Sequence, residues 1–230
     1  MSAAFASAGD ARSGHTPAGP ATGPRSGRAI VFDFGGVLFR WRPAALLGHV
    51  LAHRIDEATP VDHWVGQIFQ GYGGEWGAFD RGTIEVPDLV RGIAARSGLA
   101  EADVQAVVDA VPHELQAIED TVAWLHRLHD EGWPLHFLSN MPEPYAQHLE
   151  RHHDFIGRFR SGVFSARVKR VKPEPDIFAA AAAHYGRDPS QLLLLDDHLP
   201  NIDAARAAGW QAIAFVDAAQ AEAELRAIGW

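Results

Sequence analysis

The sequence predicts an α/β fold in which a parallel sheet is flanked by helices and a helical segment is inserted after the first strand. Short, almost continuously apolar runs recur along the chain, and helical patterns lie between the later runs. Strands that alternate with helices in this way are typical of a parallel sheet. The predicted strands are AIVFDF (29–34), PLHFLSN (134–140), SGVFSA (161–166), QLLLLDD (191–197) and QAIAFV (211–216).

The apolar residues of these runs do not alternate with polar ones, which indicates strands that are buried on both faces. In the first helical pattern, Val122, Leu125 and Leu128 share one face, and the pattern stops at Gly132. Helices on both faces of the sheet are therefore expected. The patterns are TVAWLHRLHDEGW (121–133), PDIFAAAAAHYGR (175–187) and NIDAARAAGW (201–210).

Residues 43–113 contain no convincing strand and carry four amphipathic helical patterns instead. We therefore predict a core made of residues 29–42 and 114–230, with 43–113 as a helical insertion. The first 28 residues are rich in Ala, Gly, Ser and Pro, so we expect a disordered tail. An organelle transit peptide is the alternative for this tail, and Asp10 and the prolines disfavour it.

The charge balance bears on the possible partners. Twenty Lys and Arg against 29 Asp and Glu give a formal net charge of −9, which argues against nucleic acid, because its recognition depends on neutralising phosphates. No apolar run approaches the ~18 residues of a membrane span, so no membrane partner is expected. The chain has no cysteine, which excludes thiolate chemistry and fits a cytoplasmic location.

Polar side chains stand where the predicted strands end. Because the carboxyl ends of parallel strands meet at one edge of a sheet, these side chains should converge on a single site. Carboxylates there can hold a hard cation such as Mg²⁺, while a lysine and a hydroxyl can hold an anion beside it. The site therefore suits phosphoryl chemistry on a small phosphorylated molecule. Its candidates are Asp33, Ser139, Asn140, Lys172, Asp196 and Asp197.

The order of FDFGGVL, FLSN, VKPEPDIF and LLLLDDHLPNIDAARAAGW resembles the four motifs of the haloacid dehalogenase superfamily of hydrolases. The resemblance covers residues 29–217 and implies a Rossmann-like core, with the helical insertion as a cap of the C1 type. DFGGVLFRWRP and LDDHLPN are most similar to the subgroup that contains sugar-phosphate phosphatases and the amino-terminal phosphatase domain of epoxide hydrolases.

This resemblance implies a role for each candidate in a Mg²⁺-dependent phosphatase. Asp33 would be the nucleophile that forms an aspartyl-phosphate. Lys172 would offset negative charge, and Ser139, helped by Asn140, would bind phosphoryl oxygens. The implied metal ligands are Asp33, the carbonyl of Gly35 and Asp197, with Asp196 and Asn201 in supporting roles.

Gly35 departs from the superfamily's usual pattern. Most of its phosphatases carry a second Asp at this position, which protonates the leaving oxygen and later activates water. Glycine cannot transfer a proton, and such help is worth about 10²–10⁴-fold in rate. We therefore expect slow turnover unless the leaving group is good or the proton comes from elsewhere. In the predicted cap, Asp80 and Arg81 in FDRGTI resemble the segment that faces the active site.

Two other functions are compatible with these residues. A 2-haloacid dehalogenase would use the same Asp nucleophile without metal, and Arg40 or Arg42 would hold the substrate carboxylate. It needs no leaving-group acid, so Gly35 is compatible with it, but the Asp196–Asp197 pair favours metal binding. A binding protein that kept the fold and lost catalysis is the second alternative, and Gly35 is its only support. The glycine-rich GYGG (71–74) is expected to be a mobile cap loop.

Overall fold

A computed structural model of the protein describes residues 27–230. The predicted disordered tail therefore lies outside the described residues, except for its last two. Of these, Arg28 donates a hydrogen bond of 2.6 Å to the carbonyl of Gly229. Its guanidinium also lies 5.1 Å from the centre of the Trp230 ring. The start of the described chain is thus packed against its end.

The five predicted strands form one sheet in which every neighbouring pair is parallel, in the order β3-β2-β1-β4-β5. The fold class predicted from the sequence is therefore confirmed. Strand β1 lies at the centre, so its end opens toward the middle of the sheet edge. The strands are β1 (Ala29–Phe32), β2 (Leu135–Ser139), β3 (Ser161–Phe164), β4 (Leu192–Asp196) and β5 (Gln211–Ala214).

The two faces of the sheet belong to two separate apolar clusters. Ile30 and Phe32 of β1 pack in the first cluster, and Ala29 and Val31 pack in the second. All four residues of β1 are fully buried. The absence of polar alternation in the strands thus follows from burial on both sides.

Eleven helices accompany the sheet in the described residues, and none of them is long and apolar enough to cross a membrane. Residues of α6, α7 and α11 contribute to the first cluster, and residues of α9 and α10 contribute to the second. The helices are α1 (Pro43–Val50), α2 (Val61–Phe69), α3 (Gly74–Asp80), α4 (Val86–Ser97), α5 (Glu101–Glu114), α6 (Glu119–Asp130), α7 (Glu143–His152), α8 (Ser165–Val168), α9 (Pro175–Tyr185), α10 (Leu199–Ala207) and α11 (Ala218–Ala227).

Helices α1–α5 follow β1 without an intervening strand in residues 43–114. We propose that they form the cap that the sequence predicts, with residues 29–42 and 114–230 as the core. The sequence-based prediction contains no helix at the positions of α3, α7, α8 and α11. In place of the predicted last strand residues 165 and 166, the chain turns into α8 directly after Phe164.

Candidate active site

The ends of β1, β2 and β4 open into one cavity of about 480 Å³. Asp33 follows β1 directly, Ser139 is the last residue of β2, and Asp197 follows β4. These three side chains line the cavity together with Lys172, which lies in the loop between α8 and α9. The convergence expected from a parallel sheet is therefore present in the structure.

Lys172 is the centre of a buried charge cluster. Its Nζ lies 2.8 Å from Oδ1 of Asp33 and 2.6 Å from Oδ2 of Asp196. The lysine side chain is 1% exposed, so both ion pairs are shielded from water. Oδ1 of Asp33 also accepts a hydrogen bond of 2.7 Å from the backbone N–H of Phe34. In the described residues, Oδ2 of Asp33 has no such partner and stays available to a ligand.

Asp196 is held on every side by protein donors. Nδ2 of Asn201 donates to both of its carboxylate oxygens, at 3.0 and 3.1 Å. The backbone N–H of His198 donates to Oδ1 at 2.9 Å, and Lys172 occupies Oδ2. Asp196 is completely buried. This carboxylate is therefore suited to fixing Lys172 in position, and Asn201 in turn fixes the carboxylate.

The cluster carries more negative than positive charge. Burial raises the pKa of Asp33 to about 7, against the Lys172 ammonium, and the charges of Asp196 and Asp197 raise it further. Burial and the neighbouring Asp196 likewise raise the pKa of Asp197. Burial opposes the charge of Lys172, yet its two carboxylate partners hold its pKa above the usual value. A bound cation would relieve this repulsion and favour the ionised carboxylates.

The donor set suits a hard divalent cation. Carboxylate oxygens of Asp33, Asp196 and Asp197 lie within 4.8 Å of one another, the one such group of three in residues 27–230. Because Asp196 is already saturated, Asp33 and Asp197 offer the free oxygens. The backbone of Gly35 lines the same cavity and can add a carbonyl ligand. Oxygen ligands of this kind are those that Mg²⁺ prefers.

The end of β2 provides polar groups on the other side of the cavity. Ser139 is 1% exposed, and its hydroxyl has no hydrogen-bond partner among the described residues. Asn140 is committed differently: its Oδ1 accepts from the backbone N–H of Lys172 at 2.8 Å, and its Nδ2 donates to the Lys172 carbonyl at 2.9 Å. Asn140 thus ties the Lys172 loop to β2, a contact that the sequence alone does not suggest.

Trp41 stands beside Gly35 in the cavity wall. A β-carbon at Gly35 would lie 3.7 Å from Cβ of Trp41, in ordinary van der Waals contact. Nε1 of Trp41 donates a 3.0 Å hydrogen bond to the hydroxyl of Tyr72. Burial raises the pKa of this hydroxyl above its usual value, so it remains protonated at neutral pH. The hydroxyl proton is therefore free to point toward a ligand.

No motif or spacing in the sequence pointed to Trp41 or Tyr72 as part of the site. The only signal was the glycine density of GYGG, which was expected to be a mobile cap loop and whose four residues line the cavity. Tyr72 has a φ of 65°, in the left-handed region that non-glycine residues rarely adopt. Such strain persists only where the surroundings enforce it. The wall here is otherwise largely apolar, with Trp41, Trp76, Val111, Leu115, Met141 and Tyr145.

The structure separates the two cap candidates, Asp80 and Arg81. Asp80 is 5% exposed and lines the cavity. Arg81 also borders the cavity, but its guanidinium is paired with Glu174, through a 2.8 Å bond from Nη1 and a second bond from Nη2. Arg81 thus joins the end of α3 to the loop that carries Lys172. Asp80 keeps a free carboxyl.

The sequence and the structure are similar to those of known proteins. The model of the haloacid dehalogenase-like hydrolases matches residues 28–209. A sesquiterpene phosphatase from Aspergillus oryzae is 25% identical over 200 residues, which cover 86% of this chain and 95% of that protein. The phosphoglycolate phosphatase of Escherichia coli K12 is 33% identical over 85 residues, but these cover only 37% of this chain and 34% of that enzyme.

Solved structures share the fold. A HAD family enzyme from Bacteroides thetaiotaomicron, in complex with magnesium and inorganic phosphate, superposes with a TM-score of 0.64 at 20% identity, covering 81% of this chain and 92% of that one. An L-2-haloacid dehalogenase from Xanthobacter autotrophicus, with chloropropionic acid covalently bound, gives 0.58 at 17% identity, with 87% and 82% covered.

Proposed function

The chain belongs to the haloacid dehalogenase-like hydrolases, and we propose that it is a Mg²⁺-dependent phosphatase that hydrolyses a small phosphorylated metabolite. The observation that supports this most strongly is the pairing of three carboxylates with a single buried lysine at the sheet edge. That arrangement provides a cation site and a positive charge beside one free carboxylate oxygen. Phosphoryl transfer depends on this kind of positioning and charge neutralisation.

In this proposal, Oδ2 of Asp33 attacks phosphorus and forms an aspartyl-phosphate, which water then cleaves. Lys172, held by Asp196, offsets the negative charge that Asp33 and the transferred group share. The Ser139 hydroxyl donates to a phosphoryl oxygen. Mg²⁺ held by Asp33, the Gly35 carbonyl and Asp197 would supply further neutralisation of the phosphoryl charge when bound.

The cavity wall favours a substrate whose organic part is apolar. Beyond the charged edge, aromatic and aliphatic side chains such as Trp41, Trp76 and Leu115 line the space. A sugar or a short carboxylate would not bury these apolar side chains, whereas the hydrocarbon part of a larger substrate would cover them and exclude water from them. The similarity to a sesquiterpene phosphatase over 95% of that protein's length supports the same class. We therefore propose a phosphate monoester of a terpenoid or similar hydrocarbon alcohol.

Dehalogenation is the competing function, since dehalogenases share the fold. It requires no cation, and the repulsion among Asp33, Asp196 and Asp197 would then stay uncompensated. Its substrates are also small carboxylates, which need a cationic side chain in the cavity. Arg40 and Arg42, the candidates for this role, do not line the cavity, and Arg42 is paired with Glu114. The buried lysine is already paired with two carboxylates, and Arg81 is paired with Glu174. These pairings favour the phosphatase.

The test is phosphate release by the purified full chain from farnesyl phosphate, FMN, 2-phosphoglycolate and glucose 6-phosphate, with Mg²⁺ or with a chelator. We expect release that stops in chelator and returns with Mg²⁺. We expect kcat/KM for farnesyl phosphate to exceed that for 2-phosphoglycolate by about tenfold or more. Halide release from 2-chloropropionate in chelator would establish the dehalogenase instead. Failure to hydrolyse any monoester would overturn the proposed function.

A further inference from the structure

An alcohol leaves a phosphate ester readily only when its oxygen receives a proton, and Gly35 offers none. We propose that Asp80 is the proton donor, because its carboxyl is buried, unpaired and part of the wall of the cavity that Asp33 and Lys172 share. This inference rests on the proposed phosphatase function. It assigns to the cap helix α3 a catalytic group that the sheet edge lacks.

The backbone of Asp80 is fixed to the core on both sides. Its carbonyl accepts a 2.5 Å hydrogen bond from Oγ of Ser165, and the same Oγ accepts a 2.8 Å bond from the N–H of Met141. Met141 lies two residues after Ser139, so one side chain bridges Asp80 to the end of β2. The ion pair of Arg81 with Glu174 ties the next residue to the Lys172 loop. The backbone at Asp80 is therefore tied to the end of β2 and, through Arg81, to the loop that carries Lys172, and the Asp80 side chain lines the cavity that Ser139 and Lys172 also line.

The Asp80 carboxyl is in the protonation state that a donor requires. It has no hydrogen-bond or ion-pair partner in residues 27–230. Burial alone raises its pKa to about 8, so it carries a proton at neutral pH. A pKa near the working pH is the best compromise between holding a proton and releasing it. Buried carboxyls without a partner are costly, which makes a purely structural role a poor explanation.

The groups near Asp80 are poorer proton donors. The Tyr72 hydroxyl lies in the cavity and is influenced electrostatically by both Asp80 and Asp33. Its pKa lies above that of an ordinary phenol, so it is a much weaker acid than Asp80. Tyr145 donates its own proton to the carbonyl of Val108 at 3.0 Å. The cationic side chains that could pair with Asp80 are engaged elsewhere. Arg81 forms an ion pair with Glu174, Lys172 forms one with Asp33, and Lys169 donates a hydrogen bond to the Gly82 carbonyl.

The reaction balances with Asp80 in this role. As the Asp33 oxygen forms its bond to phosphorus, the bond from phosphorus to the ester oxygen breaks and its electron pair stays on that oxygen. The Asp80 carboxyl transfers its proton there, which gives the free alcohol and the Asp80 carboxylate. In the second step the carboxylate accepts a proton from water while the water oxygen attacks phosphorus. The bond between phosphorus and the Asp33 oxygen breaks with its electron pair on that oxygen, so inorganic phosphate leaves, the Asp33 carboxylate is restored and Asp80 is protonated again.

Two substrates of nearly equal size separate proton transfer from binding. Benzyl phosphate releases an alkoxide-type oxygen that needs a proton, whereas 4-nitrophenyl phosphate releases a stable phenolate. We expect the wild-type rates to lie close together. Asp80→Asn should lower kcat/KM for benzyl phosphate by about 10²-fold or more, with a loss of less than about tenfold for 4-nitrophenyl phosphate. Asp80→Glu, which keeps a transferable proton, should recover part of the benzyl phosphate activity.

Asp109→Asn is the matched control, because Asp109 is an exposed carboxyl of helix α5 and lies outside the cavity. It should change neither rate. Equal losses on both substrates in Asp80→Asn would overturn the assignment, as would the selective loss appearing in Tyr72→Phe instead. If Asp80→Asn does not fold, a steep leaving-group dependence in the wild type overturns it. A wild type inactive on both esters and on farnesyl phosphate refutes the phosphatase function itself.

Discussion

A β-carbon at Gly36 would lie 2.1 Å from Oδ2 of Asp197, far inside van der Waals contact. Gly36 also has a φ of 74°, a conformation that favours glycine. The second glycine of FDFGGVL therefore lets the backbone after β1 approach the carboxylate after β4. Gly35 carries no such constraint, since its own β-carbon would only touch Trp41. Steric contact and backbone conformation therefore explain the glycine at position 36, but they do not require a glycine at position 35.

Gly36→Ala is expected to displace Asp197 and weaken Mg²⁺ binding by about tenfold or more, with a loss of about 1–3 kcal/mol in the free energy of unfolding. Gly35→Ala is the matched control, because its new methyl group has room, and should stay within about 1 kcal/mol of the wild type. Calorimetric Mg²⁺ titration and thermal unfolding measure the two effects. Unchanged Mg²⁺ affinity in Gly36→Ala would remove Asp197 from the ligand set.

Asp33→Asn and Lys172→Met should separate catalysis from stability. In Asp33→Asn the lysine keeps its 2.6 Å pair with Asp196, so the fold should persist. The amide has no nucleophilic charge, and we expect hydrolysis to fall by about 10⁴-fold or more.

Lys172→Met leaves two buried carboxylates without their cation, so it should also lower the free energy of unfolding by about 3–5 kcal/mol. Circular dichroism melting curves and phosphate release distinguish the two variants. Asp33→Asn with substantial turnover would exclude Asp33 as the nucleophile.

The sequence predicted the sheet and its edge because both depend on local signals. Strands buried on both faces read as apolar runs, and a polar residue directly after such a run, like Asp33 or Asp197, must stand at the sheet edge. These signals hold for any chain with this topology, so the amino-acid sequence alone was enough to predict that Asp33, Ser139 and Asp197 converge.

The part of the cavity wall that comes from the proposed cap could not be predicted in the same way. Whether Tyr72 points inward depends on the left-handed turn at Gln70–Tyr72 and on how α2 and α3 pack. The Asp80 backbone is held by Ser165, which is 85 residues away in the chain, and the Arg81 guanidinium is engaged by Glu174, which is 93 residues from it. Hydrophobic patterns and motif spacing do not predict contacts between residues so far apart in the sequence. FDRGTI was recognised as facing the site, but the division of roles between Asp80 and Arg81 required the structure.

Restoring an acid at position 35 should compensate for losing the one proposed at position 80. A side chain at Gly35 makes only ordinary contact with Trp41, so Gly35→Asp should fold. In the Asp80→Asn background we expect Gly35→Asp to recover benzyl phosphate hydrolysis by about tenfold or more, with little gain for 4-nitrophenyl phosphate. The ratio of the two kcat/KM values is the measurement. Gly35→Ala in the same background is the control and should recover nothing.

Asp80 should also leave a signature in folding stability that needs no substrate. Its pKa is about 8 in the folded protein against an ordinary value of 3.8. Between these values the folded state binds one proton more than the unfolded state, so the free energy of unfolding falls as pH rises from about 4 to about 8. The slope from one such group is at most about 1.4 kcal/mol per pH unit. Below pH 4 the carboxyl is neutral in both states, and the penalty vanishes.

Asp80→Asn removes this titration while keeping the size of the side chain. We therefore expect its advantage over the wild type in the free energy of unfolding to grow with pH through this range and to level off above pH 8. Urea unfolding at a series of pH values, in chelator so that cation binding does not contribute, gives the difference directly. Asp109→Asn, which replaces an exposed carboxyl by an amide in the same way, is the control for the substitution itself. If the difference in the free energy of unfolding between Asp80→Asn and the wild type stays constant with pH, the pKa of Asp80 is not raised by folding. The carboxyl would then be ionised in the folded protein at neutral pH and could not donate the proton that its proposed role requires.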